Sequence, residues 1–446
     1  MKLHPILIPV ALLLGGCVSD DASRRPEYEY KGVLGFEDIA PIADREADST
    51  AGHSSVWTVE ELAFRAGSRC ADIREGAFEV ASKQLKKSES LAWKDPELRF
   101  GRDFEEDGND TDSLSARLYI PNPFVDRYLR RQAEASIAAR KAKACTDAFA
   151  VYSEVKLLCN EVLLLEKRIK LMERKRQLRA DLVEMEQRRY DSGLSSTPYE
   201  VLRANNRMRN SERKVAEMVD RERRLKSKIA ILAELPQLDF TIEEIQVNPP
   251  KELDDLDALC EIAFSRRPDL AEAIHELEEA EARVGEAKAA NLPWFRFVEG
   301  SYSVTPGEWD PDTGLTDADE HEYGVKVSLT IPIFDWCGNR VSVAKSVRDR
   351  ASDRLDSLYS AIRREIETAV FEYRTMQALC ENSADDAYVS DMYRKIDAVD
   401  MAGGKKDDEK SHAELELIDL EISILDRLTA AREAYLQLES VVGGPL

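Results

Sequence analysis

Hydrophobic residues along most of this chain recur every three or four positions, a spacing that predicts amphipathic α-helices. The longest such stretch, Pro123 to Tyr190, contains no internal proline or glycine, so as one helix it would extend about 100 Å. Its apolar positions form a narrow stripe, as in helices that pair in coiled coils. The stripe consists of Val151, Val155, Leu158, Val162, Leu165, Ile169 and Met172.

Two regions instead alternate apolar and polar residues, which predicts pairs of β-strands with one polar face. Their apolar positions are Leu98, Phe100 and Phe104 in the first region, and Val325, Val327, Leu329 and Ile331 in the second. Each region ends in an Ile-Pro pair, Ile120-Pro121 or Ile331-Pro332, and a long helical stretch follows. Proline therefore ends a strand at the same place in both regions.

This correspondence extends over the whole chain and predicts a two-fold internal repeat. An offset of 211 residues places Ile120 on Ile331 and Ser192 near Ala402, and an offset of 197 residues places Asp72 on Asp269. The first repeat is assigned to residues 55–240 and the second to residues 256–446, with a linker at 241–255. Within them we predict β-hairpins at 97–124 and 294–334, and helical-hairpin tips near 191–195 and 402–411.

Capping residues suggest where several helices begin. Helical periodicity starts near Trp57, where Thr58 and Glu61 have the spacing of a capping box. Pro198 is suited to the first turn of the helix that returns from the first tip. The corresponding helices of the second repeat are predicted at Leu256 to Ala290, Asn339 to Val399, and about His412 to Val442.

Composition favours long solvated helices over a compact enzyme core: of the 446 residues, 33% are charged and 7% aromatic. The net charge of −23 argues against nucleic acid as a partner. The five histidines are scattered, and neither a nucleophile elbow nor a phosphate-binding loop occurs, so we expect no enzyme activity. We also expect no cofactor, and no metal, since no CxxC pair occurs and no histidine lies at a metal-ligand spacing from a cysteine.

The N-terminus has the pattern of an export signal. Lys2 precedes a short apolar run, Pro5 to Leu14, and Leu14-Gly15-Gly16-Cys17 resembles a bacterial lipobox. Residues 1–16 are then a lipoprotein signal peptide, Cys17 carries lipid including palmitate, and the polar residues 17–54 form a tether. The alternative is an ordinary secretory signal with a chance cysteine. Since no other stretch is apolar enough for a membrane-spanning helix, any bilayer crossing is expected from strands.

Three motifs together resemble the TolC-type outer membrane efflux channels, in their lipidated subgroup: SRRPDLAEAIHELEEAEARVGEAKAANLPWF, GVKVSLTIPIFDWCGNRVSVAKS and YDSGLSSTPYEVLRANN. The resemblance implies a mainly α-helical protein whose long antiparallel coiled-coil helices build a periplasmic α-barrel. Its two β-hairpins would contribute to the outer-membrane β-barrel of a homotrimer, since four strands cannot close a barrel alone.

The implied function is the outer-membrane channel of a tripartite efflux or type I secretion system, exporting small molecules or a polypeptide. The implied partners are outer-membrane lipid, a periplasmic adaptor (membrane fusion) protein and an inner-membrane pump. Most of the chain would lie in the periplasm. The alternative is a non-conducting lipoprotein scaffold with a coiled-coil body.

The two tips are the candidate functional sites. In the family resembled, a Gly-Leu-Ser tip docks the adaptor, which assigns that role to Gly193, Leu194 and Ser195. The docking tips as predicted also include Ser192, Gly403 and Gly404. The alternative is that these residues only form helix turns. Near the second tip, Asp407 and Asp408 are candidates for a ring of carboxylates at the channel aperture. The alternative for that pair is a surface loop with solvated charges.

Overall fold

The computed structural model describes residues 31–35, 56–69, 71–90, 94–104, 110–193, 197–236, 240–243, 253–307, 309–310, 315–316, 318–331, 338–381, 388–389, 391–396 and 407–446. Over these residues the chain is mainly α-helical with a small antiparallel sheet, as predicted. None of the described helices is long and apolar enough to cross a membrane.

The helices of the first half are α1 (Val59–Arg69), α2 (Ala71–Ser90), α3 (Pro123–Asp191) and α4 (Pro198–Leu232). Those of the second half are α5 (Leu256–Arg266), α6 (Pro268–Ala290), α7 (Asn339–Glu381) and α8 (Asp407–Val442). The strands are β1 (Val56–Trp57), β2 (Glu97–Asp103), β3 (Thr111–Tyr119), β4 (Thr241–Ile242), β5 (Trp294–Thr305), β6 (Trp309–Asp310), β7 (Leu315–Thr316) and β8 (Glu320–Thr330).

Both predicted helix starts in the first half are confirmed. At α1 the amide of Thr58 donates to Glu61 Oε2 (3.0 Å) and the amide of Glu61 donates to Thr58 Oγ1 (3.2 Å). At α4 a second capping box joins Thr197 and Glu200, with Pro198 in the first turn. These side chains satisfy backbone donors that a helix start leaves without partners.

Helix α3 is the longest element and the centre of the fold. It spans 69 residues, about 100 Å at 1.5 Å per residue. Asn122 caps its start by accepting a hydrogen bond from the Phe124 amide (3.0 Å). Along its length α3 packs against α1, α2 and α4 of the first half and against α6 and α8 of the second. The two halves are therefore held together along one helix.

The second half departs from the predicted helix bounds at two places. The predicted helix Leu256 to Ala290 is interrupted at Arg267, because the proline that follows lacks an N–H and disfavours helical backbone before it. The predicted helix Asn339 to Val399 is confirmed from Asn339 to Glu381 and again at residues 391–396, while residues 382–387 lie outside the described residues. Helix α8 begins at Asp407, about five residues before the predicted His412, so the second tip is shorter than residues 402–411.

The four long strands form one antiparallel sheet in the order β2-β3-β5-β8. The predicted hairpins β2-β3 and β5-β8 are joined through pairing of β3 with β5, from Asp112 opposite Val304 to Tyr119 opposite Phe297. Strands β2 and β8 lie at the two edges. The sheet thus combines strands from both halves of the chain.

Two smaller strand pairs occur where the sequence predicted only connections. The predicted linker 241–255 contributes β4, which pairs with β1 in parallel. The predicted loop between β5 and β8 contains the short antiparallel pair of β6 and β7. A two-residue strand leaves no visible alternation in the sequence, which is why neither pair was predicted.

The hydrophobic core has one main cluster in each half. Buried residues of the first cluster come chiefly from α1, α3 and α4, and include Leu62, Ala148, Val155 and Ile229. Those of the second come from α5, α6, α7 and α8 and include Leu259, Leu270, Ile362, Ile366 and Leu438. The helices therefore bury narrow apolar stripes, as the periodicity predicted.

The prediction that residues 17–54 form a polar tether is wrong for the segment around Leu34. Leu34 is fully buried in the first core cluster, although it lies in a polar stretch. It fills a space beside α1 and α3 that the sequence around it does not indicate. Cys17 lies outside the described residues, so the lipid-anchor prediction is not tested by the structure.

Candidate functional site: the sheet, the hairpin tips and the junction of the halves

The register of the four-stranded sheet separates apolar from charged side chains onto opposite faces. Facing residues in adjacent strands share a face, and every second residue along a strand returns to it. We call one side the apolar face; it carries Leu98, Phe100, Leu114, Ala116, Leu118, Val298, Tyr302, Val304, Tyr323, Val325, Val327 and Leu329. Both predicted alternations are therefore confirmed for the residues within the strands, while Phe104 and Ile331 lie just beyond strand ends.

The apolar face is largely uncovered in the single chain. Phe100 is 80% exposed, Val325 is 78% exposed and Leu98 is 65% exposed. A contiguous apolar surface of this kind marks a contact with lipid or with another protein. At the end of the sheet farthest from the helices this face becomes polar, where Arg102, Asp112 and His321 stand in one row.

The opposite face carries a row of alternating charge, which we call the charged row: Glu97, Arg117, Glu299 and Lys326, one residue from each strand. Arg117 Nη2 lies 2.5 Å from Glu299 Oε2, and Lys326 Nζ lies 3.8 Å from Glu299 Oε1. Tyr119 donates to Glu97 (2.6 Å). Opposite charges on facing strands stabilise the register, so the row helps to align all four strands.

Aromatic side chains gather where the sheet meets the helices. Phe124, in the first turn of α3, contacts Trp294 edge to face with ring centroids 5.8 Å apart. Trp294 also contacts Phe295, and its Nε1–H donates to the carbonyl oxygen of Pro121 (3.1 Å). This cluster fixes the base of the sheet on the start of the longest helix.

The first tip follows α3 directly. Gly193 has a φ of +71°, a conformation that glycine adopts without the strain a Cβ would introduce. A Cβ built there would meet no atom within 4 Å, so the position is open. The backbone N–H of Ser192 donates a hydrogen bond to the carbonyl oxygen of Arg188, and the helix ends there. The structure thus places Ser192 and Gly193 at an exposed reversal.

Of the remaining tip residues, the structure describes only Asp407 and Asp408. Leu194, Ser195, Gly403 and Gly404 lie outside the described residues. The backbone of Asp407 and Asp408 is helical and forms the start of α8, so the interpretation of this pair as a loop is wrong. Their role as an aperture ring stays a prediction.

A buried ionic cluster at the junction of the halves was missed by sequence reasoning. We call it the junction cluster; it consists of Glu60 of α1, Tyr152 and Lys156 of α3, and Glu439 of α8. Lys156 Nζ lies 2.9 Å from both Glu60 Oε1 and Glu439 Oε2. Burial alone would lower the pKa of Lys156, but Glu439 and Glu60 raise it above the ordinary lysine value. Lys156 is therefore charged and links three helices.

The motif Arg-Pro-Asp-Leu has a similar structural role. Arg267 is paired with Asp269 (2.7 Å) and with Glu365 of α7 (2.7 Å), and it donates to the Val441 carbonyl of α8 (3.1 Å). Burial opposes the charge of Arg267, but the two carboxylates raise its pKa. One arginine thus fastens the break between α5 and α6 to two other helices.

Nothing in the described part of the chain forms a metal centre: no three His, Cys, Asp or Glu residues there are placed to hold an ion. Of the described cysteines, Cys145, Cys159 and Cys260 are buried and Cys380 is half-buried. Burial raises the pKa of the Cys159 thiol to about 12, so this cysteine is protonated and unreactive at neutral pH.

Comparison with protein families gives one match in the second half. Residues 259–443 match the family model described as outer membrane efflux protein. A stretch of 109 residues is 33% identical to the outer membrane protein OprJ of Pseudomonas aeruginosa, and it covers 24% of this chain. The match spans 21% of the length of OprJ.

Solved structures share the fold over nearly the whole chain. CusC has a TM-score of 0.65 at 14% identity, over 95% of this chain and 98% of CusC. The Campylobacter jejuni CmeC outer membrane channel has a TM-score of 0.64 at 16% identity, over 86% of this chain and 85% of CmeC. A membrane protein from Pseudomonas aeruginosa has a TM-score of 0.66 at 16% identity, over 96% of this chain and all (100%) of that chain.

Proposed function

We propose that the chain is the outer-membrane channel component of a tripartite efflux or type I secretion system, since residues 259–443 match the outer membrane efflux protein family model. The observation that carries the proposal is the sheet with one apolar face and one charged face, mounted on a helical body about 100 Å long. Such a molecule has one surface suited to lipid, one suited to water, and the length to extend far from a membrane. Transport through it needs no catalytic residue, so we propose no enzyme activity.

The sheet is proposed to form one third of a β-barrel in a homotrimer. Edge strands exposed to hydrocarbon leave backbone donors and acceptors without partners, which a bilayer does not tolerate. Joining β2 of one copy to β8 of the next in a ring removes both edges, and three copies give twelve strands. The helices of both repeats would form the periplasmic α-barrel in the same assembly, because their outer faces also need neighbours.

The orientation of the sheet follows from its two faces. The apolar face would contact lipid, and the charged row would face the pore. Trp294, with Phe124 packed against it, then lies at the periplasmic boundary of the bilayer, where tryptophan is enriched because its ring is apolar and its N–H is polar. Strands β5 and β8, of 12 and 11 residues, are long enough to span a bilayer, whereas β2 has seven. The barrel is thus proposed to be lower on the β2 side of each copy.

A lipid anchor on Cys17 is proposed to hold the N-terminus at the outer membrane. The supporting observation is the lipobox-like Leu14-Gly15-Gly16-Cys17. Two or more acyl chains would bind the membrane stably, since each buried CH₂ contributes about 0.8 kcal/mol. Metabolic labelling with palmitate tests this directly. The parent should incorporate label and Cys17→Ala should not; equal labelling of the two would contradict the assignment.

The tips are proposed to dock a periplasmic adaptor that connects the channel to an inner-membrane pump. Gly193 supports this, because it holds an exposed reversal with open space around it. Gly193→Trp should weaken binding of the adaptor and leave conductance unchanged, whereas Gly193→Asn, which tolerates positive φ, should retain binding. Adaptor binding unaffected by the tryptophan would show that the tip is only a turn.

At the second tip, Asp407 and Asp408 are proposed to contribute six carboxylates around the three-fold axis. Like charges close together favour a bound or passing cation. The double variant Asp407→Asn with Asp408→Asn should reduce cation selectivity, most visibly at low salt where screening is weakest. Unchanged selectivity at low salt would reject the ring.

Mass measurement and electrical recording together test the channel. Protein in mild detergent should have the mass of three copies, and the same preparation should give discrete conductance steps in planar bilayers. A trimer that inserts without conducting would support the scaffold alternative instead. A stable monomer that never inserts would reject the channel.

A further inference from the structure

The edge strands β2 and β8 each turn a row of backbone N–H and C=O groups away from the sheet. The amide of Ile120 donates to the carbonyl oxygen of Arg296 (3.3 Å), so the even-numbered residues of β3 turn their backbone groups toward β5. Through the observed register, the outward-pointing groups then belong to even residues of β2 and odd residues of β8. These are also the residues of the apolar face, so pairing of the two edges keeps each face continuous.

The charged row ends at β8 with a lysine that has room for a second partner. Lys326 Nζ lies 3.8 Å from Glu299 Oε1, and the lysine side chain is 72% exposed. On the charged face of β2, Glu97 pairs with Arg99 in its own chain (2.7 Å). Asp103 on the same face is exposed and forms no salt bridge with the described residues of its own chain. A carboxylate at one edge therefore complements an ammonium group at the other.

The charged row is staggered relative to the base of the sheet. Glu97 is the first residue of β2, whereas Lys326 lies four residues before the end of β8 at Thr330. Three steps between strands cover about 14 Å across the sheet, and four residues extend about 13 Å along a strand. With these strand ends at one membrane level, the strands are inclined by about 43°. Transmembrane barrels have strand tilts of about 35–45°.

The same tilt sets the level at which the next copy meets β8. In a ring with three-fold symmetry every Glu97 lies at one height, and a fourth step across the sheet brings the row about five residues above that height. Only every second residue of β2 lies on the charged face, so the residues there at this level are Gly101 and Asp103. Glycine offers Lys326 no partner, whereas Asp103 offers a carboxylate.

We propose that β8 of one copy pairs with β2 of the next in the register that places Lys326 opposite Asp103 of the next copy. We call this contact the seam. It rests on the proposed homotrimer and adds the residues that align its copies. Lys326 then lies between Glu299 of its own chain and Asp103 of the neighbour, so the charged row continues with alternating sign around the ring.

The apolar side of the seam fits this register. Leu329 lies opposite Phe100 of the next copy, and Val325 lies opposite Phe104. These four side chains are 49–80% exposed in the single chain. Apolar and aromatic residues on facing strands stabilise the pairing of those strands. The seam therefore joins an ion pair on the pore side to apolar contacts on the lipid side.

Paired cysteines test the register. In the proposed seam, residues 103 and 326 face each other without a backbone hydrogen bond, where Cα atoms are about 4.5 Å apart and a disulfide can form. Within one chain β2 and β8 are three strand steps apart, about 14 Å, so a bond between them links two copies. The full chain with Asp103→Cys and Lys326→Cys, oxidised in outer membranes, should migrate as a covalent trimer on a non-reducing gel. Each single variant should migrate as a monomer, and Gly101→Cys with Lys326→Cys should link only weakly.

Charge exchange gives a second readout that needs no disulfide. Asp103→Lys places two ammonium groups at each seam, so the trimer in mild detergent should dissociate about tenfold faster than the parent. Adding Lys326→Glu should restore most of the parent's lifetime, because the opposite charges are exchanged. The matched control Asp95→Lys changes an exposed aspartate just before β2, outside the paired residues, and should leave the dissociation rate unchanged.

Several results would overturn the seam. Preferential linkage through Gly101→Cys, or equal linkage through both cysteine pairs, would refute the register, and an Asp103→Lys trimer as long-lived as the parent would refute the ion pair. Failure of both pairs to link, in a parent with the mass of three copies, would refute the seam and leave the trimer standing. A parent with the mass of one copy would refute the proposed trimer and the seam together.

Discussion

Removing the charge of Glu439 should destabilise the chain more than removing any exposed charge. Glu439 and Lys156 each retain only 10% side-chain exposure and their charged atoms are 2.9 Å apart. Glu439→Gln keeps the size and an oxygen acceptor, but it leaves the ammonium group of Lys156 buried with one carboxylate fewer. Breaking a buried ion pair from one side typically destabilises by about 3–5 kcal/mol.

The second partner of Lys156 reduces this figure. Glu60 remains 2.9 Å away, but its side chain is 52% exposed and solvent screens it. We therefore expect Glu439→Gln to lower the free energy of unfolding by about 2–3 kcal/mol, less than the loss for an isolated buried pair. The matched control Glu60→Gln removes only the exposed partner and should change stability by at most about 1 kcal/mol.

Urea unfolding followed by circular dichroism in mild detergent measures both variants. The double variant Lys156→Met with Glu439→Leu supplies the complementary test, because replacing a whole buried pair by apolar residues is often neutral. It should recover most of the stability lost in Glu439→Gln. Equal losses for Glu439→Gln and Glu60→Gln, or a loss below about 0.5 kcal/mol for the former, would refute the assigned burial energetics.

The raised pKa of Lys156 also sets the direction in which its contribution to stability changes with pH. The folded pKa of Lys156 is raised above its unfolded value, so its stabilising contribution is complete below about pH 10 and is lost only as pH rises through the raised value. The contribution of Lys156 to the stability of the parent should therefore stay constant from pH 7 to 9. A decline within that range would assign the effect to another group.

Two further substitutions test local packing. Asn160 is buried in α3, and its side-chain amide has no hydrogen-bond partner among the described residues. Asn160→Leu should therefore raise the free energy of unfolding by about 1 kcal/mol. A clear loss of stability in urea unfolding would show that the amide is hydrogen-bonded in the parent. Gly285 of α6 faces Tyr128 of α3, and a Cβ at residue 285 would overlap the tyrosine ring. Gly285→Ala should therefore lower the urea midpoint of unfolding, and adding Tyr128→Ala to it should largely relieve that loss. Purely additive losses in the double variant would contradict the close contact.

Local signals in the sequence were enough for most elements. The Thr58–Glu61 pair, Pro198 and the uninterrupted stretch after Pro123 act through neighbouring backbone, so their effect can be read from residue spacing. The alternation in β8 likewise predicted its two faces. The break at Arg267 was missed because the apolar periodicity continues across it, and periodicity outweighed the proline.

Long-range features could not be predicted in this way. Lys156 is visible as a lysine beside the apolar stripe of α3, which is a possible signal, but its partner Glu439 is 283 residues away. Leu34 lies in a stretch whose composition is typical of a solvated arm, and only the space beside Gly67 explains its burial. Packing between distant elements, rather than local propensity, decides both positions.

The central claim is that the charged row lines a water-filled pore and the apolar face contacts lipid. Neighbouring positions on β8 test it: Lys326→Cys on the charged face and Val325→Cys on the apolar face, each recorded in planar bilayers during addition of a charged, water-soluble thiol reagent. Conductance should change stepwise for Lys326→Cys and stay constant for Val325→Cys and for the parent with its native cysteines. A response of Val325→Cys with none from Lys326→Cys would contradict the assignment of the two faces.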